Sequence, residues 1–145
     1  MIRKLQNGDI YRVTYLCLKT NLEAHNFIPE PYWTGNYEAV KKMLPQAEVY
    51  VYEDNKIIQG FVGVRDEYIE GIFVSDKMKS HGIGKALLDY IKDKKARLQL
   101  NVYQKNVRAM SFYQREGFTI QSEGLDEFTG EKEYVMEWNS SHEDL

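Results

Sequence analysis

Ser75-Asp76-Lys77-Met78-Lys79-Ser80-His81-Gly82-Ile83-Gly84-Lys85 is the stretch on which the fold turns. It follows a strand-like run, Tyr68 to Val74, and leads into a segment with Ile83, Leu87, Tyr90 and Ile91 at helical spacing. Such a turn opens a helix N-terminus, where unpaired N–H groups and the positive dipole end attract anions. Glycine lets the backbone come close to the anion. The expected ligand is a phosphate or pyrophosphate; the bland alternative is a turn that needs glycine for its geometry alone. Two known phosphate motifs do not fit. The Walker loop G-x-x-x-x-G-K-[ST] would need glycine at Lys79 and Ser or Thr at Ala86. The dinucleotide fingerprint would need a third glycine where Leu87 stands.

Upstream, Ile2 to Leu5 reads as a short strand, and Asp9 as the N-cap of a helix through Ile10, Val13, Leu16 and Cys17. Pro29 and Pro31 are expected to end any helix near Leu22–Pro31. Asn36 is expected to cap a second helix carrying Tyr37, Val40, Met43 and Leu44, stopped near Pro45. Glu48 to Glu53 and Lys56 to Val64 read as strands joined by a tight turn at Asp54-Asn55. Arg65-Asp66-Glu67 turns the chain into Tyr68–Val74.

Downstream, Arg97 to Tyr103 alternates, with Leu98, Leu100 and Val102 on one face and Gln99 and Asn101 on the other. Asn106 opens a short helix that ends at Gly117. Phe118–Ile120 and Tyr134–Trp138 read as closing strands linked around Thr129-Gly130, and residues 139–145 as a polar, frayed tail. Consecutive hairpins plus one strand–helix–strand crossover imply a mixed sheet covered by helices, in a single domain over 1–145.

Composition removes several function classes. Nineteen basic against 22 acidic side chains give a net charge of −3, which does not suit non-specific nucleic-acid binding. One cysteine, Cys17, excludes an internal disulfide and a multi-cysteine zinc site, and it reads as inert core. His25, His81 and His142 are too far apart for a local metal motif, so no metal is expected. No run approaches the ~20 apolar residues of a membrane span. The amino-terminal residues lack a signal-peptide core, and a cytoplasmic protein is expected.

Lys79-x-x-Gly82-x-Gly84 resembles the R/Q-x-x-G-x-G/A signature of the GNAT (GCN5-related) N-acetyltransferase superfamily. The segment from Asn101 through Asn106, Ala109, Phe112-Tyr113 and Gly117-Phe118 is similar to the family's N-x-x-A-x-x-[FL]-Y-x-x-x-G-F stretch. Order and spacing match, and the element order matches across nearly the whole chain. Ala24–Ile28 and Leu125–Gly130 also resemble a group of small bacterial members. The first signature position departs from the pattern: Lys79 supplies a point charge where arginine would supply a bidentate fork.

The resemblance implies an α+β fold with a mixed, mostly antiparallel sheet of six to seven strands. The sheet would splay between the fourth and fifth strands and carry about four helices. It implies acetyl-coenzyme A lying in that splay. Ile72, Phe73 and Val74 would offer backbone to the pantetheine arm. Lys79 and the amides of Ser80, His81, Gly82, Ile83, Gly84 and Lys85 would meet the pyrophosphate. Asn106 would bind the pantetheine arm, and Tyr113 would stand by the sulfur as general acid. The implied activity is acetyl transfer to a primary amine, of a protein or a small molecule, by direct attack in a ternary complex. The alternative is a module that binds coenzyme A without turnover, as monomer or homodimer in either case.

The chemistry constrains these roles. A phenol near pKa 10 protonates a thiolate near 8.5 at a cost of ~2 kcal/mol, so Tyr113 is expected mainly to donate a hydrogen bond. Deprotonating a lysine-type amine at pH 7 costs ~4.6 kcal/mol, an α-amine ~1 kcal/mol, so a base matters chiefly for the first. Some family members carry a glutamate where this chain has Asn101, and an amide cannot accept the proton. Glu70, expected on one face with Tyr68 and Ile72 and buried beside aromatics, is the candidate base; a plain surface glutamate is the other reading. His25, Asn26, Phe27, Tyr32, Trp33, Tyr68 and Asn101 are candidates for the acceptor pocket. For Phe27 and Trp33, packing of the helical arm onto the sheet is the competing reading. For His25 it is a satisfied helix-end histidine.

Overall fold

The protein, described over residues 1–140 by a computed structural model, builds one seven-stranded sheet. The strands are β1 (Ile2–Lys4), β2 (Glu48–Asp54), β3 (Ile57–Arg65), β4 (Tyr68–Val74), β5 (Arg97–Tyr103), β6 (Thr119–Leu125) and β7 (Lys132–Asn139). Their order across the sheet is β1-β2-β3-β4-β5-β7-β6. The helices are α1 (Ile10–Ala24), α2 (Glu30–Gly35), α3 (Tyr37–Met43), α4 (Ile83–Lys92) and α5 (Val107–Arg115).

Alternation along the strands divides the apolar side chains between two cores. Val62, Val64 and Ile69 join Leu98, Leu100 and Val102 under α4 and α5. Val49, Val51 and Phe61 face Val13 and Leu16 of α1 on the other side. Every neighbouring pair is antiparallel except β4–β5, which is parallel and meets in register only at Tyr68↔Gln99, beside a Gln99 N–H to Glu67 carbonyl bond of 2.9 Å. Beyond that point the sheet opens into the expected splay.

Several local expectations are corrected. The first hairpin turns at Asn55-Lys56, both left-handed (φ 51° and 65°), because Asp54 still pairs with Ile57. Asp9 stands at the N-cap of α1 as expected, but its side chain does not cap the helix. It is itself helical, and its carboxylate accepts from the Gln6 N–H at 2.7 Å and pairs with Arg3 at 2.7 Å. Asn36 does not cap α3 with its side chain, which donates to the Tyr32 carbonyl at 2.6 Å. Pro31 does not end a helix but starts α2, since proline needs no N–H in a first turn. The closing strands are longer than expected: β6 is exposed along its length and so carries no alternation signal. Of the tail, Asn139 ends β7 and the Ser140 N–H bonds the Ala96 carbonyl at 2.8 Å. Residues 141–145, His142 among them, lie outside the described residues.

Candidate active site

The splay leaves a cleft of about 710 Å³ between β4 and the start of α5, roofed by the C-terminal end of α1 and closed at one end by the glycine turn. Ile72, Phe73 and Val74 form the β4 wall, as expected. Past Tyr68, the edge of β4 toward β5 has no strand pairing, so its N–H and C=O groups face the opening.

The turn residues Ser80 (φ 68°) and Gly82 (φ 82°) are both left-handed, and Gly82 sits at the N-cap of α4. The Ser80 and Gly82 amides run into the free N–H groups of Ile83, Gly84 and Lys85, forming a concave anion site; the His81 amide departs from expectation, because it already donates to the Met78 carbonyl at 3.2 Å. A Cβ at Gly82 would meet nothing within 4 Å, so glycine is required there for its φ, not for room within the protein. These residues fit a pyrophosphate, the charged part of acetyl-coenzyme A. The cations are placed differently from expectation. The Lys79 ammonium is held by Asp76 at 3.5 Å and Glu23 at 3.8 Å. The Lys85 ammonium is held by Glu116 at 3.0 Å and Asp89 at 3.3 Å. The His81 ring is exposed.

Arg108 was not among the expected site residues. From the first turn of α5 its guanidinium reaches the Ser80 hydroxyl at 3.4 Å, and no carboxylate among the described residues pairs with it. A cation at a helix N-terminus opposes the dipole. That misplaced charge, in the x position between Asn106 and Ala109, was the available signal.

Tyr113 lies on the inner face of α5, 8% exposed, with Phe112 and Phe118 edge-on at 5.2 and 5.5 Å. Burial pushes its phenol well above the ordinary range, so at neutral pH it is a donor. Asn106 caps α5: its Oδ1 accepts from the Ala109 N–H at 3.2 Å. Its Nδ2 therefore donates to His25 Nε2 at 3.1 Å, which assigns the ring proton of His25 to Nδ1.

His25 crosses from the end of α1 to meet the α5 cap. It stacks on Trp33 (centroids 5.3 Å apart) and takes the edges of Tyr103 and Phe27 at 5.1 and 5.7 Å. Tyr32 closes on Trp33 at 4.8 Å. Burial lowers the imidazole to about 4, so the ring is neutral. His25 Nδ1 and Trp33 Nε1 are buried and bonded to nothing. Of these rings His25 lines the cleft, whereas Phe27 packs on Tyr103 of β5 and Trp33 on His25, the packing reading of the arm. Asn26 is exposed beside them.

Beyond the floor, Tyr68 and Asn101 meet across the splay, the Asn101 backbone N–H directed at the Tyr68 hydroxyl. Glu70 departs from expectation. A β-bulge at Gly63/Val64 pairs Gly63 with Gly71 and Val64 with Ile69, and leaves Glu70 unpaired. Ile69 and Ile72 then share a face, so Tyr68 and Ile72 do not. Glu70 is exposed, not buried, and pairs with Arg65 at 3.3 Å. Glu133, on β7, was not anticipated: its carboxylate accepts from Asn101 Nδ2 at 2.9 Å, a contact spanning 32 residues that no local motif announces.

Residues 45–120 match the family described as acetyltransferase (GNAT) domain. The peptidyl-lysine N-acetyltransferase YiaC of Escherichia coli (strain K12) is 33% identical over 140 residues, covering 95% of this chain and 96% of that protein. The solution structure of apo-form YjaB from Escherichia coli superposes with a TM-score of 0.84 at 19% identity, covering 95% of this chain and 96% of the other. YncA from Salmonella typhimurium, solved with its cofactor acetyl-CoA, gives a TM-score of 0.67 at 18% identity, covering 96% and 92%.

Proposed function

The chain belongs to the GNAT acetyltransferase family and transfers the acetyl group of acetyl-coenzyme A to an amine; from that premise we propose that the acceptor is a peptidyl lysine. The observation that carries this reading is the acidic mouth of the splay, where the Glu133 carboxylate, held by the neutral amide of Asn101 at 2.9 Å, acts on the Tyr68 phenol. Such a mouth attracts a protonated, lysine-type amine and disfavours neutral or anionic acceptors. The likeness to a peptidyl-lysine N-acetyltransferase over almost the whole chain supports the same choice.

Acetyl-coenzyme A, when bound, supplies the activated thioester. Ser80 and Gly82 to Lys85 hold its pyrophosphate through backbone amides, with Arg108, which no carboxylate among the described residues pairs, across the cleft. The open edge of β4 at Ile72–Val74 takes the amides of the pantetheine arm, and the second amide proton of Asn106 is available to the same arm. Tyr113 donates a hydrogen bond to the departing sulfur. Its raised pKa makes full proton transfer costlier than for a free phenol, so its work is stabilisation of the thiolate. Retention of this phenol beside the cleft favours turnover over storage of the cofactor.

Among the described residues no helix is long and apolar enough to cross a membrane. We place the enzyme in the cytoplasm, where the half-buried Cys17, its thiol raised to about 11 by burial, stays reduced and unreactive. The test is incubation with acetyl-coenzyme A and lysine-containing peptides blocked at the α-amine. Mass spectrometry should find acetyl groups on lysine side chains. Modification confined to unblocked α-amines would overturn the acceptor assignment.

A further inference from the structure

The carboxylates around the cleft differ in what neutralises them. Glu70 has Arg65 at 3.3 Å, Glu116 has Lys85 at 3.0 Å, Glu131 has Lys105 at 3.0 Å, and Asp126 has the Tyr103 hydroxyl at 2.6 Å. Glu133 has a neutral amide, Asn101 Nδ2, at 2.9 Å, and no Lys or Arg pairs with it among the described residues. Its charge therefore stands uncompensated at the mouth.

Its position is as specific as its partner. Glu133 faces Tyr103 in the β5–β7 register, and Asn101 faces Val135, so Glu133 and Asn101 are diagonal neighbours on one face of the sheet. Asn101 is two residues beyond Gln99, whose pairing with Tyr68 is the last between β4 and β5, so it stands where the splay opens. Glu133, held to Asn101, thus stands at the opening of the splay. The charged and titratable groups on the elements around Glu133 are Tyr103, paired with it across β5–β7 and bonded to Asp126, then Tyr68 and the Glu70–Arg65 pair of β4, and on its own side Lys132 and the Lys105–Glu131 pair.

Resting on the lysine-type acceptor argued above, we propose that Glu133, positioned by Asn101, receives the ammonium proton of the acceptor. The ammonium N–H passes its proton to a Glu133 carboxylate oxygen. The freed nitrogen bonds to the thioester carbonyl carbon as the carbon–sulfur bond breaks, and the sulfur leaves as thiolate on the Tyr113 hydrogen bond. Glu133 is half-buried, so it hands the proton on to water. Asn101 is a positioning residue: it touches Glu133 and fixes where the carboxylate points.

The test compares wild type with Glu133→Gln and Asn101→Ala on a lysine peptide blocked at its α-amine, from pH 6.5 to pH 9.5. Glutamine keeps an oxygen for Asn101 Nδ2, so the fold is preserved while the base is lost. Glu133→Gln should lower kcat/KM about 100-fold near pH 7, and the deficit should shrink toward pH 9.5 as the amine deprotonates unaided. Acetyl-coenzyme A affinity by calorimetry should change less than about twofold, since no phosphate contact is touched. Asn101→Ala should give a smaller loss with the same pH trend. A loss that is equal at all pH values overturns the assignment, as does a pH-dependent loss in Glu70→Gln with none in Glu133→Gln. A wild type active on the lysine peptide with Glu133→Gln unimpaired overturns the role of Glu133 alone. A wild type that acetylates only an α-amine, pKa ~7.8, overturns the acceptor reading and with it the need for this base.

Discussion

The wall that holds the cofactor and the wall proposed to meet the acceptor are made of different chemistry. The first is backbone. Its proposed anion site is the amides of one short stretch, Ser80 and Gly82 to Lys85, aimed by two left-handed residues and the start of α4. The second is side chains drawn from five separate elements: His25 after α1, Trp33 of α2, Tyr68 of β4, Asn101 of β5 and Glu133 of β7. Every chain has backbone amides, so a backbone site survives large changes in sequence provided the turn keeps its shape. A side-chain site changes with each substitution. The donor site is accordingly expected to tolerate substitution better than the acceptor site.

Substitutions at the reacting centre and in the turn test that contrast most severely. Tyr113→Phe keeps the ring packed against Phe112 and Phe118 and removes only the hydroxyl. A positioned acid is worth roughly 10²–10⁴-fold, and the raised phenol of Tyr113 argues for the lower end. Steady-state kinetics should show kcat reduced about 100-fold at unchanged acetyl-coenzyme A affinity. Gly82→Val attacks the backbone wall by forcing a β-branched residue to φ 82°. At about 2 kcal/mol the loss of cofactor affinity is about thirtyfold, read by calorimetry. Full affinity in this variant would mean that the turn does not aim the amides.

Legibility in the sequence follows the same division. β4 and β5 appear at their expected bounds, Tyr68–Val74 and Arg97–Tyr103, because alternation and helical spacing report local burial. The glycine turn was legible because its special φ values demand special residues. The contacts that shape the acceptor mouth were not. Asn106 and His25 are 81 residues apart, and Asn101 and Glu133 are 32 apart. The bulge at Gly63/Val64, which turns Glu70 outward, lies in the pairing of two strands and in neither strand alone. A period-2 reading assumes unbroken pairing, and one inserted residue reverses it.

The neutral imidazole of His25 joins the two walls, and its titration measures how firmly they are held together. In the unfolded chain it takes up a proton near pH 6.5; in the folded chain only near 4. Between those values the unfolded chain holds more protons, so stability falls as the pH drops through this window and is unaffected above it. Discounted for partial exposure, the loss is about 1–2 kcal/mol. Thermal melts should show Tm declining from pH 6.5 to 4, and His25→Phe should flatten that decline. An unchanged slope would free His25 from the joint. A smaller effect belongs to Arg108. Arg108→Ala should raise the KM for acetyl-coenzyme A about fivefold, the worth of one exposed charge-assisted contact, with kcat held.

The smallest expected effect bears most directly on the division. Lys79 stands where the family pattern has arginine or glutamine, and Lys79→Arg restores a bidentate fork for phosphate. If side chains governed the cofactor wall, affinity should rise tenfold or more. But Asp76 and Glu23 already hold the cation at this position, at 3.5 and 3.8 Å, and either cation must leave them to reach a phosphate. Partly exposed pairs of this kind differ by about 0–1 kcal/mol, and the exchange costs nearly what it returns. In the proposed site the amides of Ser80 and Gly82 to Lys85 carry the anion in both proteins. Lys79→Arg should therefore change acetyl-coenzyme A affinity less than about threefold by calorimetry. A gain of tenfold would show that the cofactor wall, like the acceptor wall, is a side-chain site.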